Sequence, residues 1–341
     1  MGTNCAILLD GPGNKYSYAG LTLSSSWELP ELPRAVQYSW CAPDISIYRL
    51  AAPPRTPDEG GWVHDWRSPH DSDKPFLSLF KIDEQFLLRF PGLADFLISI
   101  GDKRVGAWTA PKTSAETLRH LLLNQVLPRV LSQQGKLVLH AGAIEVGGQC
   151  VAFLGQTGSG KSTLTASFQA QNYPLLSDDT IVVTQGRLST IAQPTYRSLR
   201  LWPEAVAGLY AKTPALAPVS QYTSKTRVIL ADAAATAIAP LHLGALYVLA
   251  EDESAVASIS LARLSKREGC IAIISNAMPL DVTDNILAAK MLETASKIAE
   301  RVPLFLLTFP RLYGRLPDVH KAVLQQRSQW APLTKSNPDY K

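Results

Sequence analysis

The chain has no apolar run long enough to span a bilayer; its longest, around Pro303–Phe309, is the length of a strand. No membrane partner is expected. Cysteine is scarce, and Cys5, Cys41, Cys150 and Cys270 lie far apart without a CxxC spacing. That argues against a disulfide framework or a zinc site, and isolated thiols suit a reducing, cytoplasmic compartment. Charge of one sign is barely in excess: the formal net charge is +4 and the Lys and Arg residues are scattered, so no nucleic-acid partner is expected. No basic segment leads into an apolar core at the N-terminus, so no signal peptide is expected. Repeats and biased tracts are missing too. What is present is an ordinary globular composition in 341 residues, enough for one large or two medium cores.

Residues 1–110 carry short apolar or alternating runs at Cys5–Leu9, Leu21–Leu23, Ile45–Leu50, Phe76–Phe80, Phe86–Phe90 and Phe96–Ile100, separated by turn formers. The pattern predicts a small, mostly antiparallel sheet. Pro53–Lys74 is polar, rich in Pro and Gly, and reads as an exposed loop. Its Trp62 and Trp66 either pack onto the sheet or form a docking surface, while His64 and His70 read as surface residues. From Thr113 the period turns helical. Ser114 is a candidate N-cap, and Leu118, Leu121, Leu122, Gln125 and Val126 follow until Pro128, which predicts a kinked or two-part helix. The helix reads as a bridge over 113–134, between an N-terminal domain (1–112) and a second domain (135–329), with a loose tail at 330–341.

Motifs with chemistry fall in the second domain. Val151–Leu154 is buried-strand material that runs into Gly155-Gln156-Thr157-Gly158-Ser159-Gly160-Lys161-Ser162-Thr163, a fit to G-x-x-x-x-G-K-[ST]. Gly155 and Gly160 permit backbone angles that turn consecutive amides inward around a phosphate, and a helix starting near Lys161 adds its unpaired N–H groups. Lys161 can reach the terminal phosphates, and Ser162 can offer its hydroxyl to Mg²⁺. An ordinary Gly/Ser loop is the alternative. The strand before it, and Leu164 and Phe168 on one helix face after it, favour a nucleoside-triphosphate site. Upstream, Leu137–Leu139 is a strand ending at His140, and Gly147-Gly148 is a hairpin turn into the loop's own strand. Downstream, Ser177-Asp178-Asp179 interrupts strand material at Leu175–Leu176 and Ile181–Val183. Phosphoryl transfer needs a carboxylate near the metal, and a second can take the proton of the acceptor hydroxyl. A plain Asp-Asp turn, and a structural hydrogen bond for His140, are the competing readings.

L-H-A-G at His140, G-Q-T-G-S-G-K-S at 155–162 and S-D-D at 177–179 together resemble the HPr kinase/phosphorylase family over roughly residues 135–325, in order and in spacing. The resemblance implies an α/β fold: a P-loop domain of the HPr kinase/phosphoenolpyruvate carboxykinase type, here beside a smaller N-terminal mostly antiparallel β (α+β) domain. It implies an ATP- and Mg²⁺-dependent serine kinase in which His140 assists, Asp178 is the general base, and Asp179 with Ser162 holds Mg²⁺. The two Asp roles are interchangeable on sequence grounds. There are two departures. Thr163 stands where HPr kinases carry Glu, and the Glu-x-x-Gly-x-Gly signature is replaced by Pro194-Thr-Tyr-Arg197-Ser-Leu-Arg200-Leu-Trp202-Pro203-Glu204. With the stretch Tyr18–Leu32 (YAGLTLSSSWELPEL), this variant resembles the branch that includes kinases of the C-terminal serine of lasso-peptide precursors. A peptide or small-protein acceptor is the implied partner, and a homo-oligomer stays open.

Arg197 and Arg200 are candidates for a phosphate or an acceptor carboxylate, although Arg200 in L-R-L-W alternatively snorkels from a sheet edge. Lys225 and Arg227 offer two cations on one face before a strand at Val228–Leu230, either for charge developing on the γ-phosphate or as a solvated edge. The Ala- and Pro-rich span 205–240 reads as a linker or mobile substrate loop, and Glu251-Asp252-Glu253 as a solvated turn. Beyond it come a core strand at Leu246–Leu249, a helix capped by Asp281 or Asp284 with Leu287, Met291, Ala295 and Ile298 on one face, a closing strand at Pro303–Phe309, and a last helix seated by Pro317. Competing functions are a small-molecule hydroxyl kinase and a module that binds nucleotide without transferring phosphate.

Overall fold

The computed structural model describes residues 13–35, 42–56, 61–68, 71–187, 189–230, 239–251 and 258–332. Its first strands are β1 (Asn14–Tyr18), β2 (Leu21–Ser25), β3 (Ile45–Arg49), β4 (Trp62–Ser68), β5 (Asp71–Ile82), β6 (Gln85–Phe90), β7 (Ala94–Ser99) and β8 (Arg104–Thr109). They form one sheet in the order β1-β2-β3-β8-β7-β6-β5-β4. Only β3 is parallel to its neighbours; the other pairs are antiparallel. The segment read as a loop is in fact β4 and the start of β5, with Trp66 opposite Leu77. Its Pro and Gly residues sit at the ends, while Trp62–Trp66 supplies the aromatic and β-branched residues that suit a pleated surface. Trp66 packs against the core beneath the Arg129 guanidinium, 5.1 Å from the ring centroid, and Trp62 stays exposed. Cys5–Leu9, Cys41 and His70 lie outside the described residues.

Ser114 caps α1 (Ala115–Leu121), its Oγ accepting from the Thr117 N–H at 3.2 Å. The helix does not break before Pro128. It passes through a π-turn, Leu122–Val126, into α2 (Leu127–Gln133), and the extra residue of that turn absorbs the N–H that proline cannot give.

The remaining elements are β9 (Leu137–His140), β10 (Gly142–Val146), β11 (Gln149–Leu154), α3 (Lys161–Gln169), β12 (Leu175–Ser177), β13 (Thr180–Gln185), β14 (Thr190–Pro194), β15 (Leu199–Leu201), α4 (Pro203–Leu209), β16 (Leu216–Pro218), β17 (Thr226–Val228), β18 (Leu241–Leu249), β19 (Ser260–Arg263), α5 (Lys266–Ser275), α6 (Asn285–Arg301), β20 (Leu304–Thr308) and α7 (Leu316–Gln325). A second sheet runs β12-β10-β11-β18-β14-β13-β9, with β20 parallel to β18 and β19 on its far side. The fold is mixed α/β. Every residue of β11 is buried, because helices cover both faces of the sheet. Leu287, Met291, Ala295 and Ile298 of α6 pack on one face, and Leu164 and Phe168 of α3 with Val319 and Val323 of α7 pack on the other.

The sheet nearly closes on itself. Its end strands β9 and β12 are far apart in pairing order, yet β9 leads into β10 through Ala141 alone, and β12 leads into β13 through Asp178 and Asp179 alone. The chain therefore crosses one seam twice, and the Ala141 N–H donates to the Asp179 carbonyl at 3.0 Å where the crossings meet. The span 205–240, read as a linker, instead holds most of α4 and the strands β16 and β17, which join β15 in a three-stranded antiparallel sheet, β15-β17-β16; Leu199, Leu201 and Val228 of that sheet bury with Ala205 and Val206 of α4. Strands of three residues are too short to show a period. Residues 231–238 and the Asp252-Glu253 part of the acidic turn lie outside the described residues. Past α7 the chain is still anchored: buried Trp330 donates through Nε1 to Tyr247 Oη at 2.9 Å, and residues 333–341 lie outside the described set. Among the described residues, no helix is long and apolar enough to cross a membrane.

Candidate functional site

The loop after β11 has the geometry its glycines permit. Gly155, Gly158 and Gly160 have φ of 146°, 89° and 89°, values that a side chain would disfavour. A Cβ on Gly155 would also meet Ser159 Oγ at 2.8 Å. Gly160 is the left-handed N-cap of α3, with no side chain capping the first turn, so its amides stay open toward the loop. Lys161 Nζ donates to the carbonyls of Gly155 at 2.6 Å and Gln156 at 2.9 Å, bracing the loop from inside. Burial lowers its pKa to about 8. Asn276, which the sequence does not single out, braces the loop from outside: its Oδ1 accepts from the Gly155 N–H at 2.9 Å.

The double seam carries His140, Asp178 and Asp179 to this loop. Asp178 is buried, with Oδ2 accepting from the Arg200 N–H at 3.0 Å and Oδ1 lacking any hydrogen bond among the described residues. Burial raises its pKa, against the opposing charge of Arg200; the nearby Ser162 hydroxyl favours the ionised form. Asp179 pairs with Arg200 Nη2 at 2.5 Å and lies 3.4 Å from His140 Nδ1. Burial would push Asp179 up, but the charges of Arg200 and His140 hold it at about 2. His140 Nδ1 also lies 3.0 Å from the Asp179 carbonyl, which can only accept, so Nδ1 carries the proton and Nε2 is left as an acceptor. Burial lowers the His140 pKa to about 4.

Arg200 therefore does not snorkel from a sheet edge; it flanks the cleft. It is turned inward as the counter-ion of the aspartates, and its Nη1 donates to His120 Nδ1 at 3.2 Å. Arg227 is tied with Arg119 to the buried carboxylate of Glu31, so of the expected cation pair only Lys225 reaches the site, above the Trp202 ring at 5.2 Å. Arg197 does not line it.

These groups converge on one cleft of about 300 Å³. Thr157, Gly158, Gly160, Lys161, Ser162 and Thr163 form its floor, and His140, Asp179 and Arg200 its flank. Trp202, Tyr222 and Lys225 close another side, and Phe76 of β5 with His120 and Gln125 of the helix after the first sheet form a further wall. The segment bearing Tyr222 is fastened to the α1 cap: Gln221 Oε1 accepts from the Ser114 N–H and the Gln221 N–H donates to Thr117 Oγ1, both at 2.9 Å. No local motif marks His120, Gln125, Phe76 or Tyr222, since each is recruited from a different element by the fold.

No protein-family model matches the chain, and no curated protein matches it. Among solved structures the chain is similar to the HPr(Ser) kinase/phosphatase from Coxiella burnetii, at 12% identity and a TM-score of 0.31, over 56% of this chain and 97% of that one. A likeness this weak fixes neither family nor activity. The chemistry has to be read from the site.

Among the described residues no group of three or more His, Cys, Asp or Glu gathers as a metal cage. The site offers Ser162 near the buried Asp178 carboxylate, whose Oδ1 has no partner among the described residues; this sparse donor set fits Mg²⁺, which keeps waters and borrows phosphate oxygens.

Proposed function

We propose that this chain is an ATP- and Mg²⁺-dependent kinase that transfers the γ-phosphoryl group to a seryl hydroxyl of a peptide or small protein. The supporting observation is convergence: a glycine loop with an open helix N-terminus and the carboxylate of Asp179 line one cleft, with Asp178 buried next to them. Loop amides at 155–163 bind the phosphates, and Lys161 exchanges its two carbonyl acceptors for charged oxygens. Ser162 and Asp178 would hold Mg²⁺, which when bound neutralises phosphate charge.

This exchanges the aspartate roles expected from the resemblance. Asp178 is buried beside Ser162, whereas Asp179 lines the cleft. Asp179 then orients the hydroxyl and takes its proton, with the His140 Nε2 lone pair beside it. A weak base suffices, because the transition state of phosphoryl transfer is loose and asks mainly for alignment and charge. Lys225 and Arg200 counter the charge on the transferred group. A lasso-precursor C-terminal serine and an HPr-like protein are concrete acceptors.

The test is single-turnover transfer from labelled ATP to a panel of seryl peptides. Asp179→Asn is expected to abolish labelling with nucleotide affinity kept, Asp178→Asn to raise the Mg²⁺ requirement, and Lys161→Ala to weaken nucleotide binding roughly tenfold or more. A module that only senses nucleotide would bind ATP and label nothing, and that result would sink the kinase reading.

A further inference from the structure

The wall contributed by α1 and the π-turn has a chemistry of its own. His120 Nδ1 receives Arg200 Nη1 at 3.2 Å, and a guanidinium can only donate. It also faces Asn124 Nδ2 at 2.9 Å. The Asn124 amide cannot turn over, because the Tyr196 hydroxyl donates to its Oδ1 at 2.8 Å and its Nδ2 also donates to the His120 carbonyl at 3.2 Å. Two donors on Nδ1 force the proton of neutral His120 onto Nε2. Burial, followed by the charge of Arg200, lowers its pKa to about 3, so the ring stays neutral. Gln125 is locked in the same way: its Oε1 accepts from Arg129 Nη1 at 2.9 Å, which leaves the Nε2 hydrogens outward. Neither His120 Nε2 nor Gln125 Nε2 has a hydrogen-bond partner among the described residues, and both residues line the cleft. The π-turn makes this possible, since five residues close its turn and bring His120 and Gln125 to one side.

We infer that His120 and Gln125 form an acceptor-recognition site, two fixed neutral N–H donors that bind carbonyl or carboxylate oxygens flanking the hydroxyl to be phosphorylated. The inference rests on the kinase reading and deepens it. Opposite tautomers bracket the substrate: His140 Nε2 accepts from the hydroxyl side, and His120 Nε2–H donates to the neighbouring oxygen. Phe76 and Tyr222, with ring centroids 5.8 Å apart, give the same wall an apolar patch for the residue beside the serine. Neutral donors suit this task, because a further cation here would compete with Lys161 and Lys225 for the triphosphate. The α1–π-turn wall thus selects the acceptor while the loop selects the nucleotide.

The full ¹⁵N-labelled chain, saturated with Mg²⁺ and a non-hydrolysable ATP analogue, is titrated with N-acetyl-glycyl-seryl-glycinamide and, separately, with glycerate. The analogue alone should move loop amides and leave the His120 Nε2–H and Gln125 Nε2 resonances in place. One of the two acceptors should then move both side-chain signals, and which one does so separates a peptide from a free hydroxy acid. A His120 proton found on Nδ1, a shift with the analogue alone (a base site), or no shift with either probe overturns the inference. Kinetics separate binding from structure. His120→Phe should raise KM for the preferred acceptor roughly tenfold with kcat little changed, and His120→Gln, which restores an N–H near the Nε2 position, should recover it. Loss in both variants alike would mean a packing role only. Failure of the kinase reading looks different: the analogue would not bind the loop, or the probe would bind without being phosphorylated.

Discussion

At the residue scale, the ionisable groups of the cleft set its acid sensitivity. His120 and His140 are held near 3 and 4 by burial, against about 6.5 in an unfolded chain. As pH falls below about 6.5 the unfolded chain takes up protons that the folded protein refuses, so stability is complete above that value and declines toward pH 4. Asp179, held near 2, extends the decline further down. The urea midpoint should therefore drop between pH 7 and pH 5; an unchanged midpoint would mean that the folded imidazoles already accept protons. Much of the site was legible where its residues are contiguous. The stretch 155–163 states its backbone geometry in its glycines, and Asp178-Asp179 stands out as charge inside strand material. Arg200 was legible only as a cation. Whether it faces phosphate, solvent or carboxylate depends on a seam that no local pattern encodes.

At the element scale, the fit between α3 and the strand beneath it is close. A Cβ on Gly142 would meet Thr165 Oγ1 at 2.2 Å, and that hydroxyl is buried without a partner among the described residues. Gly142→Ala should cost about 1–3 kcal/mol in denaturant unfolding through overpacking. Adding Thr165→Ala, which removes the obstructing atoms, should return most of the loss; no recovery would place the strain in the backbone instead. Helices with caps were the readable elements, as Ser114 and Asp284 illustrate. The helix α5 could have been read as well, since Ser265 and Glu268 form a capping box, but its apolar face is narrow. Strand β4 was hidden by the Pro- and Gly-rich ends around it, and β15–β17 by their brevity.

At the scale of the whole molecule, Glu31 ties helix α1 to the three-stranded sheet. Its buried carboxylate holds Arg119 at 2.8 Å on α1 and Arg227 on β17, while the Tyr18 hydroxyl donates to the Leu123 carbonyl nearby. Glu31→Ala strands two guanidinium groups, which costs about 3 kcal/mol when such groups are fully buried and less here because Arg227 keeps some water. A shift in the single unfolding transition is the expected outcome; a split into two transitions would show that this ion cluster is what makes the units cooperative. None of this was visible in the sequence, since residues 31, 119 and 227 share no local pattern, only a fold. The Gln221 attachment has the opposite character. It consists of two hydrogen bonds at a helix start, one exposed at the Ser114 N–H and one to the buried Thr117 hydroxyl. Under the proposed reaction, a phosphorylated product would leave by slipping that catch, and turnover would then be set by a small local excursion at the rim while the rest of the molecule keeps its shape.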